Sequence, residues 1–113
     1  MTGIINTPIS VVSGESIPIE IPAGYVWVGV DVPEMTSTSF TVQKLSGNTY
    51  KTLRDPIGAV AAAGSDVTFT MGGTSVGIYY IPPSLSAVLD GTFKLVFSSS
   101  ESVGINLIFR NIA

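Results

Sequence analysis

The sequence predicts an all-β protein, a single-domain sandwich of about eight or nine short antiparallel strands. Short segments in which apolar and polar residues alternate recur along the chain, and this period of two is typical of strands. Turn residues separate these segments about every 8–12 residues, the spacing of β-sandwiches and jelly rolls. The 113 residues contain no internal repeat or linker, and one domain of this size buries about two-thirds of its unfolded surface.

The stretch 17–32 is the segment around which we expect the sandwich to form. In its first arm, Ile17, Ile19 and Ile21 alternate with one glutamate and two prolines. Because proline cannot donate to a β-ladder, we expect this arm at a sheet edge. A turn at 23–24 leads into a second arm that is apolar on both faces, as in a strand covered on both sides. The two arms are predicted to form a hairpin, and the face predicted to line the core carries Val26, Val28, Val30 and Val32.

Residues 1–14 are predicted to be an N-terminal arm with a short first strand, and residues 15–113 the sandwich itself. The arm contains Ile4, Ile5 and Ile9. A terminal segment this apolar is expected to pack on its own sandwich or on a neighbouring subunit.

The rest of the chain shows the same alternation. Further strands are predicted within a hairpin over 40–53 and at 66–71, 76–81, 92–97 and 103–112. Pro82–Gly91 is predicted to form one helical or 3₁₀ turn, because proline stands near its start and glycine at its end. Residues 54–65 are predicted to be a long loop of small residues, since its short alanine-rich segment cannot support a helix alone. Loops of this length are usually functional or mobile.

Charged side chains are scarce. They make up 12% of the chain, against roughly 25% in typical soluble domains. A surface with so few charges is poorly protected against association, so the composition predicts a protein that is covered by neighbours. A compact neutral monomer is the alternative.

The ionisable residues exclude several classes of function. The chain has no histidine and no cysteine, which excludes Ser-His-Asp catalysis, thiol nucleophiles, disulfides and thiolate metal sites. The eight carboxylates show no spacing that selects a catalytic pair, and no run resembles a calcium loop. The five basic residues are scattered, whereas nucleic-acid binding needs a basic stripe. We therefore expect no enzyme, cofactor, metal or nucleic-acid partner.

No membrane segment or secretory signal is predicted. Met1-Thr2-Gly3 lacks the positive charge that opens a secretory signal. The uncharged run 67–89 is long enough to span a bilayer, but glycines and prolines break it into strands and turns. We expect synthesis in the cytoplasm.

Aromatic residues suggest an alternative function. Tyr25 and Trp27 fall on one face of a predicted strand, and Tyr80 lies near the end of another. Exposed side by side, such rings could stack against sugars, as in a carbohydrate-binding or host-recognition module. Burial of Trp27 in the core is the favoured interpretation, since a single tryptophan in a small domain is usually mostly buried.

Several strand and turn segments resemble those of a known family. They lie at 39–43, 47–53, 80–83, 87–91 and 93–97. Together with the valine-rich strand, they resemble the small jelly-roll decoration, or cement, proteins of tailed bacteriophage capsids. The resemblance covers about residues 15–110 and consists of structural patterns rather than chemical signatures. It implies a jelly-roll sandwich without enzymatic activity that binds the outside of the phage head as a dimer or trimer and staples neighbouring capsomers.

The sequence thus leads to the hypothesis of a virion protein on the capsid surface, with the phage major capsid protein as its partner. A tail or baseplate component is a further alternative. The residues expected to contact the partner lie in the N-terminal arm, the loop at 35 and the loop 54–65: Ile4, Ile5, Ile9, Met35, Arg54, Asp55 and Ile57.

Overall fold

The all-β prediction is confirmed. The computed structural model describes residues 3–56, 63–72 and 75–111, and in these ranges it has ten strands and one short helix. The elements are β1 (Ile4–Val12), β2 (Glu15–Ser16), β3 (Ile19–Glu20), β4 (Tyr25–Val32), β5 (Ser39–Ser46), β6 (Thr49–Thr52), β7 (Thr68–Thr70), β8 (Gly77–Tyr80), α1 (Pro83–Ser86), β9 (Thr92–Phe97) and β10 (Val103–Asn111).

The ten strands form one antiparallel sheet. Its order is β6-β5-β9-β2-β1-β10-β4-β8, while β3 also pairs with β9 and β7 with β5. The sheet curls on itself. The rings of Trp27 in β4 and Phe93 in β9 lie 4.8 Å apart, although three strands separate β4 from β9 in the strand order. We call β1, β10, β4 and β8 the β4 half, and the remaining strands the β9 half.

One hydrophobic core fills the space between the halves. Its largest fully buried side chains include members from both halves: Trp27, Phe40, Phe93, Phe109, Leu95, Ile105 and Leu107. These side chains lie on strands of both halves, and each strand points every second side chain into the space between the halves.

The N-terminal segment is an interior strand of nine residues, longer than the short first strand predicted within residues 1–14. β1 pairs with β10 from Ile4 opposite Arg110 to Val11 opposite Val103, and its end also pairs with β2. The apolar residues that suggested an arm are explained by this position. Ile9 and Val11 point into the core, and Ile5 packs against it.

The two arms of the stretch 17–32 do not form a hairpin. β3 pairs with β9, whereas β4 pairs with β10 and β8. The turn between the arms, where Gly24 has a φ of +82°, therefore carries the chain from the β9 half to the β4 half. Alternation alone could not reveal this, because an edge strand and a covered strand keep their patterns whichever strand they pair with.

A β-bulge changes the face that β4 presents to the core. Trp27 lies opposite Phe109 and Gly29 opposite Ile108, so Val28 is an extra residue between them. As a result Trp27, Val30 and Val32 are buried, whereas Val26 and Val28 are only half-buried. The predicted core row of four valines is therefore wrong for its first two members.

Other local predictions match the structure. β5 and β6 form a hairpin whose two-residue loop is Gly47–Asn48, with Gly47 at a φ of +65°. α1 lies inside the segment predicted to make one helical turn, and proline occupies its first turn. Loop 54–65 is bridged at its base, where Arg54 pairs with Asp66.

Candidate functional site

The structure divides the predicted contact residues into exposed and buried groups. Ile4 is 46% exposed and Arg54 is also exposed. Ile9, Met35 and Asp55 are buried, so their side chains belong to the interior and the predicted contact surface is corrected accordingly. Ile5 is half-buried against the core. Ile57 lies outside the described residues.

The two exposed contact candidates do not form one patch by sheet position. Ile4 begins β1 in the β4 half, whereas Arg54 follows β6 in the β9 half. The Arg54 Nε atom lies 3.2 Å from Asp66 Oδ1, and both side chains are largely exposed. Such a pair adds little stability by itself, but with the bridge at the same residues it holds the two ends of the loop together.

The three aromatic residues do not form a glycan platform. Trp27 is fully buried, its ring packs against Phe93, and its Nε1–H donates to the Gly29 carbonyl at 2.7 Å. Tyr25 is half-buried, and Tyr80 is 81% exposed. Because the central ring is in the core with its only polar atom satisfied, a sugar cannot stack on it.

A polar junction joins three loops at the end of β4. The Glu101 carboxylate accepts hydrogen bonds from the amides of Thr36 and Ser37, at 3.0 and 2.7 Å, and from the Ser37 hydroxyl at 2.7 Å. The Ser37 Oγ atom in turn accepts from the Ser99 amide at 3.0 Å. Ser75 is buried and its hydroxyl donates to the Ser37 carbonyl at 2.7 Å.

These bonds favour the ionised form of Glu101. The hydrogen bond from the Ser37 hydroxyl has the largest effect and lowers the pKa of Glu101 from its usual 4.5. Burial raises this pKa to a smaller extent, and the backbone amides of Thr36 and Ser37 lower it further. The junction is therefore a structural clamp, since the Glu101 carboxylate and the hydroxyls of Ser37 and Ser75 all bond to other groups of the protein.

β8 forms one lateral edge of the sheet and carries a row of exposed apolar side chains. On its outward face Ile78 and Tyr80 are 67% and 81% exposed, and Val76, just before the strand, is 62% exposed. Within the described ranges β8 pairs with β4 alone. Sequence reasoning predicted a strand at 76–81 but missed its role, because alternation does not distinguish an edge strand from an interior one.

The opposite edge is built differently. β6 has the exposed Lys51 in a strand whose other members are two threonines and a tyrosine. A charged lysine on an edge strand discourages pairing with another chain. β6 is therefore better protected against association than β8, while β7, which pairs with β5 on the same side as β6, carries no charge.

A shallow groove of about 350 Å³ lies between β4 and α1. The side chains that line it are mostly apolar, and they include Val26 and Val28 of β4 and the helix residues Pro83 and Ser86. The bulge in β4 creates this surface, because it leaves these two valines outside the core.

Among the described residues, no group of three or more acidic, histidine or cysteine side chains could hold a metal ion. The same part of the chain includes no helix with the length and apolar character needed to cross a membrane. Comparison with protein-family models, with curated proteins and with solved structures finds no match for this chain.

Proposed function

We propose that the protein is a non-enzymatic structural component of a virion, a decoration or cement protein on the outer surface of a bacteriophage head. It is made in the host cytoplasm and binds the major capsid protein. Its mechanism is avidity, because many weak contacts repeated by capsid symmetry raise the cost of separating capsomers.

The strand order supports a jelly roll as the architecture behind this role. The β4 half has the order β1-β10-β4-β8, and the β9 half has β2 and β3 beside β9, then β5, then β6 and β7. Along the chain, β1, β4, β8 and β10 lie in the β4 half and the strands between them lie in the β9 half, as two interleaved Greek keys require. We interpret the curled sheet as a jelly-roll sandwich on this basis.

The observation that carries the proposal is the exposed apolar surface of a chain with few charges. Only 12% of residues are charged, and within the described ranges seven large apolar side chains are exposed: Ile4, Val12, Ile17, Val76, Ile78, Tyr80 and Val88. Such a surface fits a protein that is bound to neighbouring subunits in a lattice, where shape rather than charge determines the contacts.

The proposal assigns capsid contact to the exposed members of the predicted set, Ile4 and Arg54. Ile4 lies on the outer face of the β4 half, where an apolar side chain can be covered by a flat partner surface. Arg54 lies at the base of the loop 54–65 and can pair with an acidic group in place of Asp66.

Co-sedimentation with capsids tests the function. Purified protein is mixed with expanded, undecorated heads of the phage that encodes it, and the copies bound per capsomer are counted. We expect saturation at a fixed number of copies per capsomer. Failure to bind at micromolar concentration contradicts the proposal.

A matched pair of variants tests the contact surface in the same assay. Ile4→Asp is expected to weaken capsid binding by at least about tenfold, because the loss repeats at every site. Val88→Asp changes a side chain of comparable exposure beside α1 and is expected to bind like the parent. Equal binding of both variants would remove Ile4 from the interface.

A further inference from the structure

Within the described ranges β8 has no strand partner on the side away from β4, and it carries exposed apolar side chains. The Ile81 amide donates to the Val28 carbonyl of β4 at 2.9 Å. In an antiparallel ladder the residues that bond to one neighbour alternate with those that face away. The amides and carbonyls of Ile78 and Tyr80 therefore point away from β4, at the same two residues whose side chains are most exposed on this strand.

We infer that a second copy of this chain covers this edge, with β8 pairing antiparallel to β8 of the partner across a two-fold axis at Tyr79. In this register Ile78 lies opposite the partner's Tyr80, and Tyr80 lies opposite the partner's Ile78. Both pairs use the backbone groups that face outward, so four hydrogen bonds form between the copies. Each pair also joins a β-branched and an aromatic side chain, a favourable cross-strand combination.

The sequence of β8 favours a copy of itself as the occupant. The strand Gly77–Tyr80 contains no charged residue, so self-pairing brings no like charges together. The nearest charge in its register is Asp31, opposite Ile78 in β4. The two copies of Asp31 would be three strand spacings apart, at least about 14 Å, which exceeds the screening length of about 8 Å at physiological salt.

The pairing is limited in length and closes on itself. Ile81 and then Pro82 and Pro83 follow the strand, and proline cannot donate to a ladder, so pairing ends before Pro82. The other edge carries Lys51 on β6, which opposes further strand addition. A two-fold pair through β8 therefore gives a closed dimer rather than a filament.

The interface is small, because only two residue pairs per dimer share hydrogen bonds. Interfaces below the standard size of about 800 Å² per partner are typically weak. We expect a dimer with a dissociation constant in the micromolar range. A lattice of bound copies would reinforce it. The inference does not depend on the capsid proposal, since an isolated dimer can form whether or not a capsid is bound.

Sedimentation equilibrium tests the dimer over protein concentrations from about 1 µM to 1 mM, which bracket weak association. The parent chain is expected to shift from monomer to dimer. Ile78→Lys is expected to weaken the dimer by at least about tenfold, because it places an unpaired charge on the edge. Val12→Lys adds the same charge at a similarly exposed position, 58% against 67%, but on a strand paired on both sides with β10 and β2, and is expected to dimerise like the parent.

A parent chain that stays monomeric throughout this range overturns the inference. So does an assembly that Ile78→Lys leaves intact, or one that both lysine variants weaken equally. If the parent chain stays monomeric, the edge of β8 is left for a different strand. A monomer that still binds capsids would contradict the dimer but not the proposed function.

Disulfide trapping tests the register, and the absence of native cysteine makes it specific. Ile78→Cys and Tyr80→Cys chains are oxidised separately and as an equal mixture. Directly opposite residues in a hydrogen-bonded pair have Cα atoms about 5.5 Å apart, within the range of about 4.4–6.8 Å for disulfides. The mixture is therefore expected to cross-link several-fold faster than either variant alone, whose identical cysteines lie diagonally at about 7–8 Å. Equal rates in all three samples overturn the proposed register.

Discussion

At one end of the curled sheet the two halves are closed by apolar side chains, and at the other end they are closed by hydrogen bonds to a carboxylate. At the first, the Trp27 end, Trp27 packs on Phe93, and Leu85 of α1 is buried in the same core. The Ser86 hydroxyl donates to the Trp27 carbonyl at 2.7 Å and ties α1 to β4.

The Glu101 end also has buried apolar residues, among them Val32 and Met35, but its loops are joined through a carboxylate. There Glu101 and Ser37 connect loops that are more than 60 residues apart in sequence. The difference shows that a chain poor in charge can still use one carboxylate to fix loop geometry, provided that its acceptor atoms are all occupied. It also predicts that the two ends respond differently to truncation and to pH.

The largest expected effect is at the Trp27 end. Trp27→Ala should lower the free energy of unfolding by about 3–5 kcal/mol, because it removes a fully buried ring and leaves a cavity between the halves. Chemical denaturation followed by circular dichroism measures the loss.

Val88→Ala is the matched control for this end, since Val88 is more than half exposed beside α1. It should change stability by less than about 0.5 kcal/mol, as surface substitutions do. A Trp27→Ala loss under about 1 kcal/mol would mean that the core closes over the site or that the ring does not join the halves.

The next effect is at the Glu101 end. Glu101→Gln should lower the free energy of unfolding at neutral pH by about 1–3 kcal/mol, because an amide cannot accept all the hydrogen bonds that the carboxylate receives. The control is Glu34→Gln, an exposed carboxylate of the same loop region, which should change stability by less than about 0.5 kcal/mol. Equal effects of the two variants would show that the junction contributes nothing beyond net charge.

Titration of stability with pH sharpens the contrast between the ends. The pKa of Glu101 is lower in the folded protein than its usual 4.5, so its contribution is complete above the unfolded value and is lost as pH falls through the folded value. The stability difference between the parent chain and Glu101→Gln should therefore shrink below about pH 4.5. Trp27→Ala should lower stability by the same amount across this window, and a Glu101→Gln difference that is independent of pH would contradict the assignment.

The smallest expected effect is at a surface ion pair of the Trp27 end. The Lys44 Nζ atom lies 2.6 Å from Asp90 Oδ1, and the hydrogen bond and charge of Lys44 lower the pKa of Asp90. Because the Asp90 side chain is 87% exposed, water and salt screen the pair. Asp90→Asn should leave the melting temperature unchanged at physiological salt, and any difference at low salt should disappear as salt is added.

The alternation of residues along the chain determined most of the strands. The hairpin between β5 and β6 follows from a glycine-containing two-residue turn between alternating segments. The position of β9 follows from Phe93, Leu95 and Phe97, which share the buried face. These features depend on neighbours in sequence, which is why they could be predicted.

The candidate surfaces were harder to predict. Exposure of Ile4 and burial of Ile9 and Met35 depend on which strands flank β1 and the loop at 35, and apolar character alone is compatible with either. The Glu101 junction has no local signal, because its members come from three loops. The β8 edge has a strand pattern, but only pairing shows that one side of it is free.

By itself, the sequence determined that this chain is all-β, poor in charge, and without histidine or cysteine chemistry. Tertiary structure decided which strands are neighbours, how the bulge at Val28 brings Trp27 into the core, and where apolar side chains stay exposed. The physical reason is that a period of two assigns side chains to two faces, whereas strand pairing and bulges decide which of those faces becomes the inside.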